Sequence, residues 1–525
     1  MLKVIVFVCG AALMGLELVA ARVLAPAMGN SIYVWGSVIS TVMVALSLGY
    51  WIGGHAADRW GASRLLPLVI AGAAFFTVLA PPIAAATLSW ASDMGPRLGS
   101  LVASGLIFFV PALLLAMVSP LGVRLATTRG LEHIGRSAGS LYSISTAGSI
   151  VGTLATSFWL IPLLSLEPLI VWTGFLLGLA ALAALGLAAR SAIAQAAKGS
   201  EPSTPERLSS RFAVSAALGL VLACTAIGGW VLSDVGAGSA TNATGETILF
   251  RADTQYHRIT VTEDETVRHL RFDRSHQSAI YLDNGYESAI RYPDYLHLTV
   301  AAKPDAKRVL VLGLGGGTLV KRMWRDYPQM SIDAVEIDPV VVEVSQRYFG
   351  LPDDPRIRVF AEDARRYIQR TNETYDIIVI DAYYADGLPF HLTTTEFLGE
   401  VKARLAPDGV VAYNVISSVE GDDSKLFRSM YRTAGGVWSH LAVFPLDIAA
   451  QDNPGLIRNI IVQATDSDIP EEILRERIAS RVDGRVSIGG FDRFGEDLYT
   501  EIVPVADVPE LTDSHAPTDS LITVN

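Results

Sequence analysis

The chain has 525 residues, half of them apolar, with 41 Lys+Arg against 53 Asp+Glu and a net charge of −12. That length suits two or three domains, and the charge divides between them: residues 1–244 hold 12 Lys+Arg and 8 Asp+Glu, residues 245–525 hold 29 and 45. An acidic second half argues against nucleic acid as a partner, and Cys9 and Cys224, both in apolar runs, give neither zinc spacing nor a disulfide framework, so no metal site is expected.

Apolar stretches near residues 3–25, 33–53, 65–90, 98–118, 139–163, 166–189 and 212–233 are each about 20 residues or more, the length that crosses a bilayer. They predict a seven-span helical membrane domain over residues 1–233, with the lipid bilayer as its partner. The first stretch is not a signal peptide, because Glu17 and Arg22 interrupt it, no small-residue cleavage site follows and six more spans come after. Two ionisable groups in a span mark either a functional site or a pair that satisfies itself or reaches the interface. Gly148 and Gly152 form a small-xxx-small pair suited to close helix packing. Arg59 and Arg64, then Arg124, Arg129 and Arg136, then Arg190, Lys198, Arg207 and Arg211 fall in alternate loops. By the positive-inside rule the N-terminus is cytoplasmic and, after seven crossings, the C-terminal half lies outside; a count changed by one puts it in the cytoplasm. Residues 190–211 read as a polar connector, and 234–246 as a linker into the polar half.

Residues 247–283 alternate, as in His257-Arg-Ile-Thr-Val-Thr262, and predict a small antiparallel sheet within a subdomain over 247–300, with helix at 292–303. Then Arg308-Val-Leu-Val-Leu-Gly-Leu-Gly-Gly-Gly-Thr318 stops an apolar run at a glycine cluster. It reads as a buried parallel strand ending in a nucleotide-binding turn, with Gly313, Gly315, Gly316 and Gly317 letting the backbone approach a ligand and a helix N-terminus following at Leu319. Ser331-Ile-Asp-Ala-Val-Glu-Ile-Asp338 ends in acids a little over 20 residues after the first glycine, which makes Glu336 the candidate for ribose hydroxyls. Strands ending at Asp363 and Asp381 repeat the pattern, helical stretches at 339–349, 362–370 and 393–405 alternate with them, and another strand begins at Gly409. This order predicts a doubly wound, mostly parallel α/β sheet over 301–525, whose strand tips converge on one site.

These residues resemble the spermidine synthase, or polyamine aminopropyltransferase, family, in its membrane-attached bacterial form with an N-terminal helical domain. The resemblance implies a Rossmann-like, methyltransferase-like fold behind a small β-sheet, an inner-membrane location, and self-association. It implies transfer of an aminopropyl group from decarboxylated S-adenosylmethionine to an amine such as putrescine, with no tightly bound cofactor. Asp273-Arg-Ser-His-Gln277 is similar to a turn whose glutamine lines the nucleoside pocket, and Tyr292-Pro-Asp294-Tyr-Leu-His297 to a segment whose tyrosine and acid lie near the substrates. Glu336 matches the ribose-binding acid, Asp363-Ala364 the pair beside the adenine, and Asp381 the first acid of the catalytic loop.

The departures fall at the chemistry. Gly317-Thr318 stands where the family's glycine turn carries an aspartate, and Asp381-Ala-Tyr-Tyr384 replaces Asp-Ser-Ser-Asp, with Asp386 two residues on as a stand-in for the second acid. The expected catalytic set is Asp381 as base with Tyr384 and Asp386, and Tyr292, Asp294 and His297 around the acceptor. Two other readings stay open: a methyltransferase using intact S-adenosylmethionine, and a non-catalytic nucleoside- or polyamine-binding module coupled to the membrane half.

Overall fold

The apolar first half folds as long helices: Leu2–Met28, Ile32–Ala56, Ala62–Ser92, Gly95–Thr127, Ile134–Ala155, Leu166–Ala196 and Thr204–Gly236. The computed structural model describes residues 1–28, 32–127, 134–196, 204–236, 245–383, 387–451 and 453–521. The chain divides into two units, Met1–Ser239 and Ala240–Asn525.

Among the described residues, five stretches of the first unit are long and apolar enough to cross a membrane: Leu2–Met28, Ile32–Ser92, Arg97–Thr127, Leu166–Arg190 and Ala213–Ser233. One difference from the expected seven spans has a local cause. Ile32–Ser92 is a stretch of 61 residues carried through a π-helical turn at Ala57–Gly61. As one straight helix it would be about 90 Å long, some three times the hydrocarbon thickness of a bilayer. Gly61, at φ +84° and ψ 120°, breaks the axis, and the helices on either side of it both pack on Gly95–Thr127. The expected spans at 33–53 and 65–90 therefore share one stretch. The stretch expected at 139–163 is helical throughout, through Ile134–Ala155, a π-helical turn at Thr156–Leu160 and the short helix Ile161–Leu163, before the chain turns extended at Leu164.

Glycine closes the contact between Leu2–Met28 and Ile134–Ala155. A Cβ on Gly148 would lie 2.1 Å from the Phe7 carbonyl oxygen, one on Gly152 2.2 Å from that of Ala11, and one on Gly10 2.4 Å from that of Ser145. Backbone meets backbone there, so no side-chain rotation relieves a larger residue.

In the second unit, β1 (Thr247–Asp253), β2 (Arg258–Glu263), β3 (Val267–Phe272) and β4 (Ser275–Tyr281) form an antiparallel meander in sequence order. The period-two pattern puts Ile259, Val261, Leu270 and Phe272 in one apolar cluster with Val341, Val344 and Phe349 of the helix Pro339–Phe349. The turn between β3 and β4 is held by Asp273, at φ +55°, whose Oδ1 accepts from the Arg258 N–H at 3.2 Å.

The larger sheet contains β5 (Arg308–Leu312), β6 (Ser331–Glu336), β7 (Ile357–Ala361), β8 (Tyr375–Ile380), β9 (Leu405–Ser417), β10 (His440–Pro445) and β11 (Arg458–Thr465) in the order β10-β11-β9-β8-β5-β6-β7. The strands from β7 to β9 pair in parallel, and β11 runs antiparallel between β9 and β10, which makes the sheet mixed. Alternation along buried strands supplies a core to each face: Val309, Val311, Ile377 and Val379 join Val320 and Met323 on one side, and Leu310, Leu312, Ile378 and Ile380 join Phe397 and Phe427 on the other. The strand order reverses between β5 and β8, where an open α/β sheet leaves a crevice beyond its carboxyl ends.

Gly152→Leu is expected to overpack the helix contact by about 2 kcal/mol or more and to lower the thermal unfolding midpoint of the detergent-solubilised chain. Gly54→Leu, where nothing lies within 4 Å of an added Cβ, should leave the midpoint in place.

Candidate active site

The glycine turn is shaped first by the protein around it. Gly313 follows β5 at φ +100°, and a Cβ there would lie 2.2 Å from the carbonyl oxygen of Asp381, where β8 ends alongside. Gly315 sits at φ +52°. Gly316 and Gly317, expected to face a ligand, instead pack against protein: the Gly316 N–H donates to Ser278 Oγ at 2.9 Å, and a Cβ on Gly317 would be 3.0 Å from Leu351 Cδ1. Neither lines the cleft.

Glu336, at the end of β6, is 7% exposed and holds this turn from below. Its Oε2 accepts from the N–H groups of Leu314 at 3.1 Å and Gly315 at 3.4 Å, and Oε1 from that of Asp338 at 3.1 Å. Burial raises its pKa against the opposing pull of these donors.

The carboxyl ends of β5 to β8 line one cleft. Of the expected nucleoside-binding residues, Gln277, Gly313, Gly315, Glu336, Asp363 and Ala364 line it. Asp381 and Tyr292 do so as well. Asp363 caps the helix Ala364–Arg370 by accepting from the Arg366 N–H at 3.0 Å, and its other oxygen meets His391 Nε2 at 3.2 Å. These contacts, His391 foremost, hold its carboxyl below the usual range.

Asp381 has the opposite environment. Burial pushes it up to about 7, although Asn414 and Tyr292 hydrogen-bond to it; the Asn414 Nδ2–H donates to Oδ1 at 3.0 Å. Asn414 is oriented in turn by the Asn459 amide, 3.0 Å from its Oδ1. Tyr292 rises well above the ordinary phenol range through burial and the Asp381 charge beside it. Tyr383, another cleft residue, donates to the Asn414 carbonyl at 2.9 Å and accepts from the Ile416 N–H at 3.1 Å, which ties the residues after β8 to β9.

Two expected acceptor residues lie elsewhere. His297 is 1% exposed, with Nδ1 3.2 Å from the Tyr327 hydroxyl, and burial lowers its pKa to about 3; it is a core histidine. Asp294 is outside the cleft, near Arg322, Glu287 and Arg291, with its pKa raised to about 6 by burial. Both follow Tyr292 on a short helix that carries successive side chains off the cleft. Tyr384 and Asp386 lie outside the described residues.

Sequence reasoning did not single out Asn414, Tyr383 and His391, or His257, whose ring stacks on Phe272 at 4.5 Å within the cleft. For Asn414 a signal existed, since it is the first polar residue after the apolar run from Gly409. His391 and His257 sit in stretches with no such pattern.

The mixed seven-stranded sheet and the cleft beyond its carboxyl ends define a Rossmann-like unit of the methyltransferase type. Residues 291–428 match the spermine/spermidine synthase domain. The chain is 34% identical over 197 residues to the polyamine aminopropyltransferase of Vibrio vulnificus, covering 35% of this chain and 65% of that one. It is 36% identical over 143 residues to the polyamine aminopropyltransferase of Streptococcus pneumoniae, covering 26% and 49%. The chain thus spans less than two thirds of the length of these curated relatives. A probable spermidine synthase structure from Corynebacterium glutamicum aligns with 50% of this chain and 98% of its own, at 19% identity and a TM-score of 0.39. Within the C-terminal unit, residues 291–428 are thus similar to the spermine/spermidine synthase domain.

Glu336→Ala leaves three N–H groups, two of them buried, without their acceptor and is expected to destabilise the unit by about 2–3 kcal/mol. Glu336→Gln, which keeps one acceptor oxygen, should cost less. Unfolding midpoints of the two variants check the order, and equal midpoints would contradict the role given to this carboxylate.

Proposed function

We propose that the cleft binds decarboxylated S-adenosylmethionine and transfers its aminopropyl group to an amine such as putrescine, leaving 5'-methylthioadenosine. The observation that carries this reading is Asp381, a carboxyl pushed to about 7 at the end of β8, in a segment matched to the family. Glu336 is suited to the ribose hydroxyls, with Gln277, Asp363 and Ala364 around the rest of the nucleoside.

The chemistry asks for positioning and one proton acceptor. The lone pair of the amine attacks the carbon bound to the sulfonium; the C–N bond forms as the C–S bond breaks, and sulfur keeps the electron pair as a neutral thioether. The protein holds nucleophile and carbon in line and keeps water out. Asp381 takes the proton that the new ammonium gives up, and a group titrating near neutrality does this well at neutral pH. Tyr292, beside Asp381 in the cleft and donating to the Gln277 carbonyl at 3.4 Å, positions the incoming nitrogen.

Transfer of a methyl group from intact S-adenosylmethionine is the second reading, favoured by one observation: the glycine turn, 313–318, has no acid of its own to face a donor's aminopropyl end. Mass spectrometry of the nucleoside product, with each donor supplied alongside a panel of amines, separates the two. 5'-Methylthioadenosine formed only with an amine supports aminopropyl transfer, and S-adenosylhomocysteine overturns it.

Asp381→Asn should lower turnover about 100-fold or more while nucleoside affinity stays near that of the unaltered chain. In the unaltered chain kcat/KM should fall as pH drops below about 7, because Asp381 is then protonated and cannot accept. The Asn variant should lack that limb.

The five long apolar stretches among the described residues support reading the first unit as an integral membrane domain. Retention of the chain in the membrane pellet after an alkaline carbonate wash is the expected result, and release into the supernatant would refute it.

A further inference from the structure

This inference rests on reading the first unit as a membrane domain. The first turns of the helices Ala62–Ser92 and Ile134–Ala155 and the last turn of Gly95–Thr127 meet around a cavity of about 670 Å³, lined as well by residues of Leu2–Met28 and Leu166–Ala196. Small-molecule pockets are of this size, ~300–1,000 Å³. Leu66 and Leu141, both buried, give the cavity an apolar floor. Its exposed lining is cationic instead, because Lys3 and Arg136 both reach it.

Among the described residues no Asp or Glu lines this cavity, and neither Lys3 nor Arg136 has an ion pair. Two like charges on one cavity repel each other, and an anion placed between them replaces that repulsion with two attractions. The hydroxyls of Ser63, Ser137 and Ser140 supply further donors. So do the backbone N–H groups of the first helical turns. Ala62–Ser92 begins after Gly61, which has no side chain to cap those groups.

We propose that this cavity binds an anionic phosphate ester, with Lys3 and Arg136 on the phosphate oxygens and the serine hydroxyls beside them. Such an ester is carried by a phospholipid headgroup or by a free metabolite. The apolar floor suits the carbons of a lipid. The charges of the flanking loops put this end of the helices on the cytoplasmic side, where a bilayer presents its anionic headgroups.

The test is native mass spectrometry of the detergent-solubilised full chain with phosphatidylglycerol, phosphatidylcholine or glycerol 3-phosphate added. Phosphatidylglycerol is expected to bind about tenfold or more tightly than phosphatidylcholine. Lys3→Gln and Arg136→Gln should each weaken that binding about fivefold, and the double variant about 25-fold. Each single variant decides the matter should the double variant fail to fold. Arg97→Gln, at the other end of Gly95–Thr127, should stay within about twofold. Binding of glycerol 3-phosphate that the same variants weaken, without a preference between the lipids, assigns the site to a free ester. Equal binding of the two lipids with none of glycerol 3-phosphate overturns the proposal, as do Lys3 and Arg136 variants that bind like the unaltered chain. Release of the chain by the carbonate wash overturns the membrane reading instead, and the glycerol 3-phosphate measurement then decides the cavity by itself.

Discussion

One carboxylate holds the cleft open in its observed form. Glu336 gathers the N–H groups of Leu314, Gly315 and Asp338, so the turn after β5 and the turn after β6 share a single acceptor. Without that sharing, two buried donors and one half-buried donor near the strand ends would lack partners, and the backbone would have to rearrange to find them. The cost is a carboxylate held in a buried place, visible in its raised pKa. The same group faces the cleft, so any hydroxyl it accepts from a ligand is added to a site whose geometry the backbone has already set.

The acids around the cleft are not equivalent, and their environments separate their roles. Asp363 sits on a helix N-terminus beside an imidazole and stays ionised. Asp381 sits among tyrosines and an asparagine, where burial outweighs two hydrogen bonds and brings its pKa to about 7. One carboxylate is thereby suited to lasting electrostatic contact and the other to giving and taking a proton. The difference follows from what surrounds each strand end: a cap and a histidine in one case, and the β8–β9 seam in the other.

Much of this arrangement was legible in the sequence because it is written in local patterns. Apolar runs ending in acids marked the tips of β6 and β8, and the spacing from the glycines singled out Glu336. The polar partners of the site were not legible. Asn414 reaches Asp381 because Ile380 pairs with Tyr413 in the parallel register of β8 and β9, a relation across 33 residues that no local period encodes. The opposite error arose at Asp294 and His297, where a short motif suggested neighbours of Tyr292 and the helix Tyr292–Leu296 turned them elsewhere. In the first unit hydropathy marked the apolar stretches, while the break at Gly61 depends on backbone angles that hydropathy does not report.

The contact between Gly313 and the Asp381 carbonyl bears on how the site is framed. That contact joins main chain to main chain, so it constrains position 313 to glycine and fixes the path of the chain at 381 without regard to the side chains that follow. Beyond 381 the frame passes to a side chain: Tyr383 hydrogen-bonds to the backbone of Asn414 and Ile416, so the main chain sets the position of the Asp381 carboxyl and a phenol sets the path that leaves it.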